Sequence, residues 1–293
     1  MSVSTQQRSP QRRPAPPAVR SGRVEGRAGR PPGRFAPRRP LGRRTTAALA
    51  GLGLVGAVAV WAVLTYGKLV EPFFLPTPSA TASTWWRLVA HEGYLGDIWA
   101  SVRRVLGGFT LAAALAVPLG LAMGSIRAVQ ALVEPLLAAI RYMPATAFIP
   151  LLIIWLGLGE TEKLAVIFIG AFFPLTLMVA EVTGNVRRDY LQIAATLGAS
   201  SWQQHRLVVL PAAAPGILAN LRIAMGWAWT YLIIAELVAA DTGIGYRIVA
   251  ASRFLQTDVI LAGVITIGVL GLLTDACFRL LAWALFRHRQ DTR

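Results

Sequence analysis

Long apolar blocks constrain this chain more than any other feature of its sequence. Of its 293 residues 55% are hydrophobic, and many of them fall into runs of the ~20 residues that a helix needs to cross a bilayer core. The mean hydropathy of +0.54 is too high for a soluble domain of this size, which would expose large apolar patches. The sequence therefore predicts an all-α polytopic membrane protein.

We predict about six transmembrane helices, with a polar helix-turn-helix loop between the fourth and the fifth. The predicted spans cover roughly residues 46–66, 105–123, 133–158, 164–182, 217–239 and 259–286. Pro144 and Pro150 predict a kink or a break in the third span, because proline lacks an N–H and clashes one turn back. Residues 82–89 predict an interfacial helix, since two adjacent tryptophans favour the headgroup layer; packing on neighbouring spans is the alternative. Residues 240–257 predict a short outer connection that stays outside or re-enters the membrane.

A strongly basic segment precedes the first span. Residues 1–44 hold twelve arginines and one acid, Glu25, and supply most of the formal net charge of +15. They contain few large apolar residues, so we expect a disordered tail. Arginines beside a first span place that end in the cytoplasm by the positive-inside rule, and the same charge attracts anionic lipid. The predicted domains are this tail, a membrane domain over 45–287 and a short tail over 288–293, with both termini cytoplasmic.

Composition excludes several kinds of site. Only two lysines occur, Lys68 and Lys163, and leucine follows each. A phosphate-binding P-loop needs Gly-Lys followed by Ser or Thr, so an ATPase that drives this chain has to be another polypeptide. The sequence has no Cys or His cluster with metal-ligand spacing and no nucleophile, base and orienting trio, so no metal site and no catalytic residue are predicted. Most of the net positive charge belongs to one tail, so the high pI predicts no nucleic-acid partner.

The polar stretch over residues 189–211 has the pattern of two short helices. Its first part carries side chains at helical spacing, namely Tyr190, Ile193, Ala194 and Leu197. Gly198 follows, and glycine commonly ends a helix because it adopts the left-handed conformation. Ser200 and Ser201 are good N-caps for a second helix, and Pro211 is expected to block its continuation. Such an L-shaped knob suits docking into a cleft of another protein; two amphipathic helices that pack on their own membrane domain are the alternative.

This stretch resembles the coupling loop of ABC importer permeases, in which Glu-Ala-Ala is followed by three residues, Gly, nine residues and Ile-x-Leu-Pro. The matching residues are Ala194, Gly198, Val208, Leu210 and Pro211. Gln192 stands in the place of the Glu and Ile193 in that of the first Ala, so the Glu position offers an amide hydrogen bond instead of a salt bridge. The resemblance implies that the ATPase-coupling residues are Asp189, Tyr190, Gln192, Ala194, Ala195, Leu197, Gly198, Ala199, Ser200 and Pro211.

Two further stretches narrow the resemblance. Residues 141–160, with RYMP and PLLIIWLGLGE, and residues 222–258, with RIAMGWAW and GIGY, are similar to nitrate, sulfonate, taurine and bicarbonate importer permeases. The similarity covers residues 75–287. It implies a type I importer permease in the cell membrane of a prokaryote, which passes a small anionic solute from an extracytoplasmic binding protein to the cytoplasm by alternating access. Sulfonates, taurine, nitrate and bicarbonate all remain open as the solute.

The resemblance also implies a set of partners. A second permease copy, forming a homodimer, would complete the pathway within membrane lipid. Two ABC ATPase subunits would dock on the coupling loops and bind ATP and Mg²⁺, so that this chain itself binds no cofactor. The alternative is a structural or sensory membrane subunit, which would not need the coupling loop. A membrane-embedded enzyme would need a catalytic polar cluster, which the spans do not offer.

Charged residues within the spans are candidates for the pathway, because a charge exposed to lipid is costly. The candidates are Arg141, Glu181, Arg222, Glu236, Asp275 and Arg279. Arg141 would attract an anion, whereas Glu236 either gates the pathway or pairs with Arg141. Glu181, Arg222 and Arg279 are expected near the cytoplasmic ends of their helices, where they reach water. Asp275 is spaced to pair with Arg279. The predicted pathway residues are Arg141, Trp229, Tyr231 and Glu236, with packing between spans as the alternative for the two aromatic residues.

Overall fold

The computed structural model describes residues 42–287. The predicted N-terminal tail lies outside this range except for residues 42–44, and the predicted tail over 288–293 lies wholly outside it. The chain divides into two compact units, residues 1–55 and residues 56–293. The described part of the first unit is the beginning of helix α1, and everything below concerns the second unit.

All regular elements of the described range are helical. They are α1 (Arg43–Tyr66), α2 (Pro78–His91), α3 (Tyr94–Ser125), α4 (Arg127–Ile140), α5 (Ile149–Leu156), α6 (Glu160–Gly184), α7 (Arg188–Thr196), α8 (Ser201–Gln204), α9 (Leu210–Ala239), α10 (Ile244–Arg253) and α11 (Thr257–Phe286). A 3₁₀ turn (Ala145–Phe148) precedes α5, and a π-helical turn (His205–Val209) joins α8 to α9.

Five helical runs within residues 42–287 are long and apolar enough to cross a membrane. They are α1, α3, α6, α11 and the run Ser201–Val238. The pair α4 and α5, with the 3₁₀ turn between them, is bent by 84° and makes a sixth candidate if it counts as one span. The all-α polytopic membrane fold is thus confirmed, and the break in the third span falls at Pro144, as predicted.

Helices α3 and α6 form the centre of the domain and run parallel to each other. Small residues recur at every fourth position of the α3 face that meets α6: Gly108, Ala112, Ala116, Gly120 and Gly124. A Cβ at Gly108 would lie 2.8 Å from Cβ of Ile167, and one at Gly120 would lie 2.7 Å from Cβ of Val179. In lipid there is little hydrophobic drive between helices, so this close backbone approach supplies van der Waals contact that holds the pair together.

Helix α9 runs antiparallel along the other side of α6. Nδ2 of Asn220 donates to the carbonyl of Met178 over 2.9 Å, and the ring of Tyr231 lies against Gly170. At the end of the bundle where α3 begins, α2, α10 and α11 form an apolar cluster that includes Leu88. Helix α2 therefore packs on its neighbours, as the alternative reading of residues 82–89 expected.

One local prediction is wrong, because the second helix of the polar loop does not end at Pro211. Helix α8, the π-helical turn and α9 form one run, and Pro211 lies in the first turn of α9. The reason is the π-helical turn, in which the N–H of Leu210 donates to the carbonyl of His205, five residues back. This wider turn directly precedes the proline and accommodates the ring that would clash in a regular α-helix.

Candidate functional site

The turn between α7 and α8 is built by glycine, as the sequence predicts. Gly198 has φ +81°, and no other group lies within 4 Å of where its Cβ would be. The N–H of Ala199 donates to the carbonyl of Ala194 over 3.0 Å, and that of Gly198 donates to Ala195 over 2.9 Å. These two bonds make a Schellman motif, which requires the left-handed residue. Glycine is therefore needed here for its backbone conformation and not for lack of space.

The second helix starts with a capping box. Oγ of Ser200 accepts the N–H of Gln203 over 3.3 Å, and Oε1 of Gln203 accepts the N–H of Ser200 over 2.8 Å. The two bonds satisfy N–H groups that a helix start leaves without partners. The predicted N-cap is thus present, and the angle between α7 and α8 is fixed by a motif at each side of the turn.

We call residues 187–209 the knob, and most of its large apolar side chains point into solvent. The exposed fraction is 81% for Leu197, 73% for Trp202 and 66% for Leu207. No residue of α7 or α8 is buried. Packing of these helices on their own membrane domain would bury those side chains, so the alternative reading of the loop is not supported.

The predicted coupling residues mostly share this exposed surface. Those exposed on the knob are Asp189, Tyr190, Gln192, Ala195, Leu197, Gly198 and Ser200, while Ala194 and Ala199 are half-buried. Gln192 also lines a cleft of about 940 Å³ between the knob and α4, together with Glu134. Pro211 lies beyond the π-helical turn and so outside the knob.

At the end of the membrane domain opposite the knob, Arg104 lies at the centre of a buried polar network. It is 2% exposed within α3. Nη1 donates to Oε1 of Glu236 over 2.7 Å and to the carbonyl of Thr242 over 2.6 Å. Nε donates to Oε2 of Glu160 over 2.9 Å, and Nη2 donates to the other oxygen of Glu160 and to Oγ1 of Thr242. One side chain therefore joins α3 to α6, to α9 and to the turn before α10.

Glu236 is equally enclosed, at 1% exposure. Oγ of Ser101 donates to its Oε1 over 2.7 Å, and the N–H of Gly245 donates to its Oε2 over 2.7 Å. The same Ser101 Oγ accepts the N–H of Ile244 over 2.9 Å. A buried carboxylate is tolerated when a charge and several hydrogen bonds compensate it, and Glu236 has both.

Asp97 extends the network along α3. Oδ1 accepts the N–H of Gly243 over 2.8 Å, and Oδ2 accepts Nε of Arg247 over 2.6 Å. Asp97, Ser101 and Arg104 are four and three residues apart, so they share one face of the helix. This polar face continues directly into the small-residue face that packs on α6. The turn from Thr242 into α10 is consequently fastened to α3 at three successive levels.

Sequence reasoning missed this network. The predicted second span began at residue 105 and left Arg104 outside, whereas α3 already begins at Tyr94. A hydropathy criterion excludes a charged turn from a span even when tertiary partners neutralise it. The spacing of Asp97, Ser101 and Arg104 was the available signal, since three polar residues on one face of a long helix indicate a polar contact inside the protein.

Of the two alternatives for Glu236, pairing with Arg141 is wrong. Glu236 is bonded to Arg104, while Nη2 of Arg141 donates to the hydroxyl of its neighbour Tyr142 over 2.9 Å. Arg141 and Tyr231 do come together, across a cavity of about 70 Å³ that is also lined by Gly170, Phe173 and Pro174.

Three of the other intramembrane candidates, Arg222, Asp275 and Arg279, pair with one another, whereas Glu181 is exposed near the end of α6. Arg222 bonds to both carboxylate oxygens of Asp275, and Nε of Arg279 lies 3.4 Å from Oδ2 of that residue, so the spacing prediction for the latter pair is confirmed.

Trp229 is 5% exposed, and its Nε1 donates to Oγ1 of Thr274 over 3.2 Å. Trp229 thus packs between α9 and α11, which favours the packing alternative for this residue.

A comparison of the sequence with protein families shows which family this chain belongs to. Residues 116–287 match the family described as "Binding-protein-dependent transport system inner membrane component". This chain belongs to that family. It is accordingly a permease subunit, a multi-pass protein of the inner membrane, and the resemblance drawn from the coupling loop is confirmed.

Curated relatives align over most of their length. The chain is 33% identical to the taurine transport system permease protein TauC of Escherichia coli K12, over 83% of this chain and 89% of the relative. It is 34% identical to the putative aliphatic sulfonates transport permease protein SsuC of Bacillus subtilis 168, over 87% and 93%. It is 32% identical to the bicarbonate transport system permease protein CmpB of Synechococcus elongatus, over 79% and 85%.

A solved structure shares the fold. A crystal structure of an amino acid ABC transporter with histidines superposes with a TM-score of 0.52 at 16% sequence identity, and the match covers 70% of this chain and 98% of the other. At that identity the likeness concerns the arrangement of helices alone.

Proposed function

We propose that this permease is the membrane subunit of an ATP-driven importer that passes a small sulfonate or a related oxyanion from an extracytoplasmic binding protein to the cytoplasm. The observation that carries the ATP-driven part is the knob, which presents exposed apolar side chains on a rigid, doubly capped frame. Exposed apolar residues on a preformed surface are typical of a protein–protein contact. The oxyanion follows from the printed functions of the taurine, sulfonate and bicarbonate relatives.

The proposed contact is with two ABC ATPase subunits, one on each knob of a permease homodimer. ATP and Mg²⁺ bind those subunits, since this chain has no Gly-Lys-Ser/Thr motif. The knob then lies on the cytoplasmic side, which puts the Arg104 network at the outer face. Both chain termini are proposed to be cytoplasmic as well, as the arginines before the first span favour.

The connection between knob and membrane domain supports a mechanical role. The run Ser201–Val238 has 38 residues, so it extends over about 57 Å at 1.5 Å per residue. It starts inside the knob and, two residues before its end, carries Glu236 in the network at the opposite end. A movement imposed on the knob by closing ATPases is therefore transmitted along one continuous helix to the outer end, as alternating access requires.

The route of the anion is proposed to pass Arg141. This residue is exposed at the bend after α4, beside the cavity that Tyr231 closes. A guanidinium at the break of a membrane helix can donate hydrogen bonds to an oxyanion. The helical hydrogen bonds of the backbone are also interrupted at such a break, which is tolerated where the backbone lines a cavity. Glu236 is not proposed to gate this route, because its bonds are already taken by the network.

The test is ATP hydrolysis by the complex purified through this chain and reconstituted in lipid. Candidate binding proteins would be added, each loaded with taurine, an alkanesulfonate, nitrate or bicarbonate. Stimulation by one loaded binding protein, and not by its empty form, is expected and would identify the solute. If no ATPase co-purifies under gentle conditions, the structural or sensory reading of this subunit takes the place of the importer.

A further inference from the structure

The contact between Arg104 and Glu160 has the geometry by which arginine binds an oxyanion. Nε and Nη2 donate in parallel to the two oxygens of the Glu160 carboxylate, with a distance of 2.9 Å for Nε to Oε2. This bidentate fork is specific for groups with two oxygens in one plane or on one face, such as carboxylate, sulfonate or bicarbonate. The Glu160 carboxylate therefore accepts two hydrogen bonds that the oxygens of a bound anion could accept in its place.

The two sides of the arginine differ in how firmly they are held. On one side, Glu236 and Thr242 fix Nη1, and the side chains of Arg104 and Glu236 are 2% and 0% exposed. On the other side, the Glu160 side chain is 48% exposed. If Glu160 turned outward, it would regain water, whereas Arg104 would stay in place with its fork free.

The surroundings of Glu160 favour negative charge. Nη2 of Arg103 lies 3.7 Å from Oε2 of Glu160, and the Arg103 side chain is 63% exposed. Glu160 is the first residue of the 25-residue helix α6, whose N-terminal N–H groups attract an anion. Glu162, two positions along and on the opposite side of the helix, forms no hydrogen bond with the fork.

We propose that Glu160 occupies an anion site, and that the imported oxyanion displaces it from the fork of Arg104 at the outer end of the pathway. This inference rests on the proposed function, since it takes the anion to be the transported solute. The anion receives the bonds of Nε and Nη2 and the attraction of Arg103, while Glu236 balances the buried guanidinium. Helix α6 then leads inward to Gly170, beside the cavity of Arg141, about 15 Å further along at 1.5 Å per residue.

The experiment is a titration of the purified permease in lipid nanodiscs with methanesulfonate, in which binding is measured by isothermal titration calorimetry. Glu160→Ala removes the internal acceptor, and its affinity for methanesulfonate is expected to rise by about tenfold or more over the natural chain, an effect of the size of one charged hydrogen-bonding group. Methanesulfonamide, which is neutral and of the same shape, is expected to show no such rise. Glu71→Ala is the matched control, because it removes an exposed carboxylate from the loop before α2.

Two further variants keep the outcome clear. Arg103→Gln in the Glu160→Ala background leaves the Arg104 network intact and is expected to lower the gain by several-fold. Glu160→Gln keeps the size of the side chain and is expected to gain affinity as well. If both Glu160 variants elute as the natural chain does and bind methanesulfonate no more tightly than Glu71→Ala, the anion site is refuted.

The result separates this inference from the proposed function. Sulfonate uptake by the reconstituted importer, together with unchanged methanesulfonate affinity in the Glu160 variants, would leave the importer standing and remove the site. A gain in affinity without uptake of any sulfonate would leave an anion-binding site at Arg104 but remove the importer, and with it the claim that the bound anion is the transported solute.

Discussion

The N–H of Leu210 donates to the carbonyl of His205, five residues back, immediately before Pro211. This bond widens one helical turn and lets the chain pass from the knob into α9 without a break. The knob and the longest membrane run are therefore one mechanical element. Since the knob carries the exposed apolar surface and the far end of α9 carries Glu236, the two ends of the permease are linked by a single helix.

Replacing Gly198 is expected to uncouple the permease. Gly198→Val places a β-branched residue at φ +81°, a conformation that costs an ordinary residue roughly 1–2 kcal/mol and a branched one more. The angle between α7 and α8 should change, so that uptake falls while ATP hydrolysis persists. Gly198→Asn is the control, since asparagine tolerates the left-handed region and should retain most uptake. Normal uptake by the valine variant would show that the turn does not transmit force.

A charge on the knob is expected to weaken the ATPase contact. Leu197 is 81% exposed, so Leu197→Asp should leave the stability of the membrane domain within about 0.5 kcal/mol. It should nevertheless reduce the amount of ATPase that co-purifies, because a charge is then desolvated in an apolar contact. Leu69→Asp serves as the control, as Leu69 is 70% exposed and lies at the other end. Equal recovery of ATPase with both variants would argue against docking at the knob.

The Arg104 network is expected to show strong pairwise coupling. Arg104→Gln leaves Glu236 buried without its ion-pair partner, which should lower the free energy of unfolding by about 3–5 kcal/mol. Glu236→Gln keeps an oxygen for Ser101 but leaves Arg104 with Glu160 as its remaining carboxylate partner, beside the two bonds to Thr242. The double variant should lose less than the sum of the two single losses. Additive losses in thermal or denaturant unfolding would mean that the pair is not energetically connected.

The small-residue face of α3 is expected to tolerate no added methyl group. Gly120→Ala would bring its Cβ to 2.7 Å from Cβ of Val179 and from a backbone carbonyl of α6, so we expect a loss of about 1–3 kcal/mol. Gly96→Ala is the matched control on the same helix, where no atom lies within 4 Å of the new Cβ. Alanine there should be neutral or stabilising by up to about 1 kcal/mol. The same stability loss in both variants would show that backbone flexibility, not packing, explains it.

Local features of the sequence were predictable where local chemistry decides them. The turn at Gly198, the cap at Ser200 and the break at Pro144 all depend on bonds within a few residues, and all three are present. Pro211 was mispredicted, because a π-helical turn has no sequence pattern as plain as that of a cap.

Contacts between distant residues were not predictable in the same way. The bond of Arg104 to Glu236 joins residues 132 apart, and that of Ser101 to Glu236 joins residues 135 apart. Hydropathy therefore places Arg104 outside the span. The two alternatives for Glu236, gating the pathway and pairing with Arg141, leave Arg104 out, because nothing in the sequence ranks the possible partners. The Asp97, Ser101 and Arg104 spacing would have indicated a polar face but not what it meets.

The contact of the knob with an ATPase is tested most directly by site-specific photocrosslinking in the intact complex. A photoreactive phenylalanine analogue would replace Trp202, which is 73% exposed on α8, or, as the control, Trp86, which is 66% exposed on α2 at the other end. The account predicts a covalent product between position 202 and the ATP-binding subunit, and none from position 86. A complex that hydrolyses ATP but gives no product from position 202, or gives the ATPase product from position 86, would contradict it.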